Sequence, residues 1–144
     1  MSAIVAQRTA GTAVTLILRL EAGLALAAAL LGYSALSGSW LLFALLFLVP
    51  DLTMLGYLRN PGTGAVVYNA GHTYISPAAL ALAGFIAGAP LAEQFALIWA
   101  AHIALDRVLG FGLKYPGRFA DTHLSKRGLT RGFRLPTATT AAGR

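Results

Sequence analysis

Four long apolar stretches, separated by short polar breaks, set the rhythm of this chain. They run over about 13–35, 39–58, 64–88 and 92–113, each close to the roughly 20 residues a helix needs to cross the hydrocarbon core of a bilayer. The breaks "SALSGS", "RNPGTG" and "AGAP" carry the Gly, Pro and Ser that end helices and open turns. The pattern predicts an all-α, polytopic membrane protein: a four-helix bundle over 13–124, preceded by a short segment 1–12. The tail 125–144 is basic, rich in small residues and without apolar periodicity, and is expected to be disordered. The first stretch is too long for a signal peptide and is interrupted by Arg19 and Glu21, so it reads as a retained span. Small-residue pairs such as Gly23 with Ala27, and Ala83 with Ala87, predict where helices approach closely.

Composition agrees with this pattern. The 144 residues are 57% hydrophobic and 11% charged, against about 25% charged in a soluble domain. Mean hydropathy is +0.68. The absence of cysteine excludes disulfides, iron–sulfur clusters, thiolate zinc sites and covalent haem attachment. The net charge of +6 does not point to nucleic acid, because the excess lies in the connections and the tail rather than in an aromatic-laced groove. Arg8, Arg59, Lys114, Arg118 and the tail fall on one side of alternating spans, and the opposite loops hold no Lys or Arg. By the positive-inside rule both termini are cytoplasmic. The tail residues Lys126, Arg127, Arg131 and Arg134 are placed to touch anionic lipid headgroups, each worth about 1 kcal/mol near the surface.

Every span also carries charge or strong polarity: Arg19 and Glu21, then Asp51, then Asn69 and His72, then His102, Asp106 and Arg107. Isolated in hydrocarbon, such groups are costly, so they are expected to face the bundle interior and find partners. Counting about 1.5 Å per residue from the cytoplasmic ends puts Asp51 roughly 10 Å deep, with His72 and Asp106 level with it and Glu21 and His102 somewhat deeper. Asn69 and His72 are spaced i, i+3, and His102 and Asp106 i, i+4, so each pair shares a helix face. Carboxylates from two helices and paired ligands from two others make the layout of a carboxylate–histidine metal site. Asn-x-x-His stands where dinuclear sites use Glu-x-x-His, which argues against a full dinuclear centre.

The predicted metal ligands are Asp51, His72, His102 and Asp106, with Glu21 and Asn69 directly beside them or one shell out. Asp106 or Glu21 is the candidate base and Arg107 the candidate anion anchor; Tyr74 is placed to donate a hydrogen bond into the site. His123, in "FADTHL", is a surface residue unless the tail docks it over the pocket mouth. Imidazole and carboxylate donors suit zinc, iron or manganese. Two histidines on two helices also fit axial ligation of haem or a chlorin, which the neighbouring carboxylates make the weaker reading. Pro50 and Pro77 are expected to kink their spans beside the polar cluster. Tyr57, Tyr68 and Tyr115 read as interface-belt residues.

The words "PDLTMLGYLRNP", "YNAGHTYISP", "HIALDRVLGFGLKYP" and "FADTHL" resemble a small family of bacterial four-span membrane proteins that carries a domain of unknown function. The resemblance covers about residues 14–124 and implies an inner-membrane location. Pro50-Asp51 followed by Gly71-His72-Thr73 is also similar to a pattern in membrane-bound metal-dependent hydrolases. That likeness implies a metal-activated water acting on a lipid-like or phosphate-containing substrate. The alternative is a non-enzymatic accessory or assembly subunit of a larger membrane complex, with the polar cluster holding the bundle together.

Overall fold

A computed structural model describes residues 2–116, with side chains from Gly11 onward. His123 and the tail 125–144 lie outside the described residues. Among the described residues there is no strand, and the chain forms α1 (Ser2–Ala35), α2 (Trp40–Leu46), a 3-10 helix (Val49–Leu58), α3 (Pro61–Gly71), α4 (Ile75–Ala87) and α5 (Pro90–Leu109). Helix α1 begins at Ser2, so most of the segment expected to precede the first span is part of it.

The expected second and third spans are each broken into two helices. Pro50 and Pro77 do not sit within kinked helices but in the first turns of the second halves, where a missing N–H costs nothing. Ten residues is long for a 3-10 helix, whose poorer bond geometry usually limits it to three or four. The Thr53 hydroxyl donates to the Pro50 carbonyl at 2.6 Å, giving that early carbonyl a partner. Helix α3 starts on an Asn60 cap, whose Oδ1 accepts from the Thr63 N–H at 2.7 Å, with Pro61 as the first helical residue.

By length and composition, Gly11–Ala35 and Trp40–Leu58 can each cross a membrane. Helices α3 and α4, bent by 41° at their junction, make a third span if counted as one. Helix α5 is not among them: Glu93, Gln94, His102, Asp106 and Arg107 dilute its apolar character. It is instead the axis of the fold, with α1, α2, α4 and the 3-10 helix packed against it.

The buried residues of α1 and α5 include many small side chains: Ala22 and Ala29 on α1, and Ala96, Ala101 and Ala104 on α5. Small residues let helix backbones approach where no water drives them together. The pairs expected from sequence are not the ones used. A side chain at Gly23 would meet nothing within 4 Å, and Ala27, Ala83 and Ala87 are exposed. The buried face of α1 runs through residues 22, 29 and 33, one position round the helix from Gly23. Leu20, Leu24, Leu31, Leu41 and Leu45 point outward, as expected of helices that contact a lipid bilayer.

A second close contact joins α3 to the 3-10 helix. A Cβ at Gly64 would enter the Tyr57 ring, and one at Gly71 would run into the Thr53 side chain. These two glycines, seven residues apart on α3, bring the Asp51 turn against the end of α3. The candidate site forms there.

Candidate metal centre

Helix α3 stops at Gly71, and His72 leaves the helix with φ −116° and ψ 18°. A break in an apolar setting frees backbone carbonyls that need donors. Three side chains supply them: Ser76 Oγ donates to Ala70 O at 2.6 Å, Trp99 Nε1 to Gly71 O at 2.6 Å, and Arg107 Nη2 to His72 O at 2.8 Å. Two of the three come from α5, the helix that also carries His102 and Asp106. The break and α5 are thereby locked in register.

At this junction one ligand atom from each of Asp51, His72 and His102 lies within 4.8 Å of the others. His72 Nε2 is 3.3 Å from His102 Nε2 and 3.4 Å from Asp51 Oδ1, and His102 Nε2 is 3.5 Å from Asp51 Oδ1. Asp106 Oδ2 stands 3.6 Å from His72 Nε2 and 3.4 Å from the Tyr68 hydroxyl, which donates to it. Both imidazoles are buried, whereas the Asp51 side chain is 40% exposed and that of Asp106 19%. The carboxylates therefore line the open edge of the cluster.

The tautomer of His72 follows from its neighbours. Its Nδ1 is 3.0 Å from the Tyr68 carbonyl, which can only accept, so Nδ1 carries the hydrogen. In the neutral ring the Nε2 lone pair then faces the carboxylates and His102. Lone pairs and carboxylate oxygens at these separations repel one another unless a proton on His102 Nε2 or a metal cation lies between them. An Nδ1–H to backbone carbonyl bond is also the usual way a metal-binding histidine is oriented. His102 has no such support. Its Nδ1 is buried without a hydrogen-bond partner, and its ring meets Phe47 edge-on at 5.2 Å.

The other residues expected at the site take different places. Asn69 is turned to Lys114 and not to the cluster: its Oδ1 accepts from Lys114 N at 2.8 Å and its Nδ2 donates to Lys114 O at 2.9 Å. Both terminal nitrogens of Arg107 donate to carbonyls, those of His72 and Phe111, so it positions the break rather than presenting a free fork. Glu21 is exposed and outside the ligand group, since the inward face of α1 runs through Ala22 instead. Tyr74 lies beyond the break, at the entry to α4, and is also exposed.

Three residues at the site were not expected there. Tyr68, read from sequence as an interface residue, is buried and stacks on His72 at 3.8 Å and 12°. It stands four residues before His72, the spacing of helix neighbours, which is the signal that could have found it. Trp99 and Lys114 carried no such signal. Lys114 is 8% exposed and places its ammonium 4.6 Å from the Tyr68 ring centre and 5.8 Å from that of Tyr57. Burial lowers its pKa from the usual lysine value, while Asp106 and Asp51 draw it back up.

The fold and the site define a class: a helical membrane protein with a buried histidine–aspartate cluster at a broken helix. The chain belongs to the family described as Domain of unknown function (DUF4260), which it matches over residues 15–126. That span includes every member of the cluster. No curated protein and no solved structure matches the chain.

Proposed function

We propose that Asp51, His72 and His102 bind a divalent transition metal, with Asp106 as a fourth ligand or as the base beside it. One observation carries this reading. A tetrahedral centre with bonds of roughly 2.0–2.1 Å has its ligand atoms about 3.3 Å apart, and the three atoms here are separated by 3.3, 3.4 and 3.5 Å. These separations are long for hydrogen bonds and right for the edges of a coordination shell. They also favour a metal over haem, whose two axial nitrogens lie on opposite sides of the iron with the macrocycle between them. Two imidazoles and a carboxylate suit zinc, iron or manganese.

The reaction class that fits best is metal-dependent hydrolysis of a lipid-like or phosphate-containing substrate at the membrane. Three protein ligands leave a position for water, whose pKa a bound zinc ion lowers to about 7. Asp106, which accepts from the Tyr68 hydroxyl and stands 3.6 Å from His72 Nε2, would be the group placed to take a proton there. Arg107 acts by fixing the carbonyl of His72 and so the ring that follows from it.

In the membrane, we place the protein as a four-span bundle of the bacterial inner membrane, with both termini cytoplasmic and α5 as the fourth span. Support comes from the charge asymmetry: Arg59 and Lys114 fall on one side, and residues 36–38 and 88–89 hold no Lys or Arg. The chain contains no cysteine, so single cysteines placed in these connections report their side by labelling without background.

The deciding measurement is elemental analysis of protein purified in mild detergent, alone and as His72→Ala and His102→Ala. Near-stoichiometric metal lost in both variants is expected. Wild-type protein that stays metal-free after reconstitution with zinc, iron and manganese would sink the reading and favour a subunit whose polar cluster is structural. In that case a stable, stoichiometric partner should co-purify.

A further inference from the structure

The 3-10 helix decides what the open edge of the cluster faces. Three residues per turn stack side chains that are three apart, so Val49–Leu58 presents three straight rows. Thr53 and Gly56, in one row, pack against Gly71 and Val67 of α3. Leu52, Leu55 and Leu58 form a second row, exposed along its whole length. Asp51 begins the third row, and Leu48, three residues before it, is exposed as well. The half-exposed Asp51 carboxylate is therefore bordered on its own helix by leucines.

The same helix alters the depth. At about 2.0 Å per residue in a 3-10 helix, Asp51 lies about 14 Å from Leu58, deeper than the roughly 10 Å of an α-helical count. By the α-helical rise, His72 stands about 16–17 Å from the start of α3 at Pro61, and His102 about 18 Å from the start of α5 at Pro90. With α3 and α5 entering from opposite faces, these counts meet near the middle of a hydrocarbon core about 30 Å thick. Headgroup phosphates begin only at the edge of that core, about 15 Å away, and drawing a charged one inward is costly.

Resting on the metal and membrane readings above, we infer that the substrate enters sideways from the bilayer, past Leu48 and Leu52, and is a neutral acyl ester without a charged headgroup. Such a lipid can place its carbonyl among the hydrocarbon chains, where a phospholipid cannot bring its phosphate. The hydrolysis balances with water alone. Water adds to the acyl carbon, the acyl C–O bond breaks, one proton passes to the departing alkoxide, and the products are a carboxylic acid and an alcohol.

Two measurements on the full chain in dioleoylphosphatidylcholine vesicles test this. In the first, the protein is loaded with Co(II), and phosphatidylcholine carrying a nitroxide either near the chain end or near the headgroup reports the depth of the metal by its faster spin relaxation. The chain-end label should be the more affected, and the effect should vanish in His72→Ala. An equal or stronger effect on the headgroup label overturns the inference and leaves the metal reading standing. In the second, zinc-loaded protein is offered oleyl oleate, dioleoylphosphatidylglycerol and, as a water-soluble ester, ethyl acetate. Cleavage of oleyl oleate at least tenfold faster than of either rival supports the inference. Faster cleavage of the phospholipid or of ethyl acetate, or no cleavage of oleyl oleate, overturns it while the metal reading stands. Failure of wild-type protein to bind cobalt, or a relaxation effect that persists in His72→Ala, overturns both.

Discussion

His102→Leu separates a metal ligand from a structural histidine, because the two roles predict opposite signs. His102 is 3% exposed, its Nδ1 has no hydrogen-bond partner, and its Nε2 is 3.3 Å from His72 Nε2, a long contact for a hydrogen bond. Without metal, the ring is a buried polar group with little to satisfy it. Relieving one unsatisfied buried nitrogen is worth about 1–3 kcal/mol, offset in part by imperfect packing of leucine against Phe47. The metal-free variant should therefore be as stable as wild type or slightly more so. With metal the order reverses. Binding by four ligands in small zinc domains is worth about 10–16 kcal/mol, or roughly 2.5–4 kcal/mol per ligand. Losing one ligand then lowers affinity by about a hundred- to a thousandfold at 1.4 kcal/mol per decade. At a metal concentration of about 100 times the dissociation constant, wild type gains about 2.7 kcal/mol from binding, and the variant at that same concentration gains almost nothing. Thermal unfolding in detergent, with and without zinc, reads both effects in one experiment. A variant that is clearly destabilised without metal and keeps its metal-dependent gain would refute the assignment and make His102 an interhelical strut.

Other consequences can be measured in the same assay. Trp99→Phe removes the donor to the buried Gly71 carbonyl, and should cost about 1–3 kcal/mol as well as about ten- to a hundredfold in metal affinity through its hold on the His72 turn. Asn69→Leu deletes both backbone bonds to Lys114 and should cost about 1–3 kcal/mol. Its metal affinity should stay within threefold of wild type; a ligand-sized loss would show that Asn69 coordinates after all. Gly110→Ala puts a side chain at φ +96°, and against the Arg19 guanidinium, where α5 ends. It should lower stability by about 1–3 kcal/mol, and an unchanged midpoint would mean that this terminus is not set by the glycine.

The structure also shows which inferences from sequence could succeed. Apolar stretches of membrane length, punctuated by Gly, Pro and Ser, place the helices well because burial of backbone polar groups in an apolar medium allows few alternatives. The elements Trp40–Leu58 and Pro90–Leu109 differ from the expected stretches by a few residues at most. The cluster was legible for a related reason. Charged and imidazole groups are too costly to scatter through such helices, so depth alone brought Asp51, His72 and Asp106 to one level, with His102 somewhat deeper. Depth says nothing about azimuth, and there the reading failed for Glu21, which lies one position from the buried face of α1. The i, i+3 spacing did not bring the Asn69 amide to the cluster, because the backbone of Lys114 takes both its oxygen and its nitrogen.

By itself, then, the order of residues determined that the chain is helical and apolar, and it set Asp51, His72 and Asp106 at similar depth with His102 somewhat deeper. Only the tertiary structure decided which of them meet. Three carbonyls left free at the α3–α4 break must find donors, and those donors fix α5 against His72. That requirement arises between segments far apart in sequence, so no local pattern announces it. The same is true of Lys114, whose place beside Tyr68 depends on an amide 45 residues earlier.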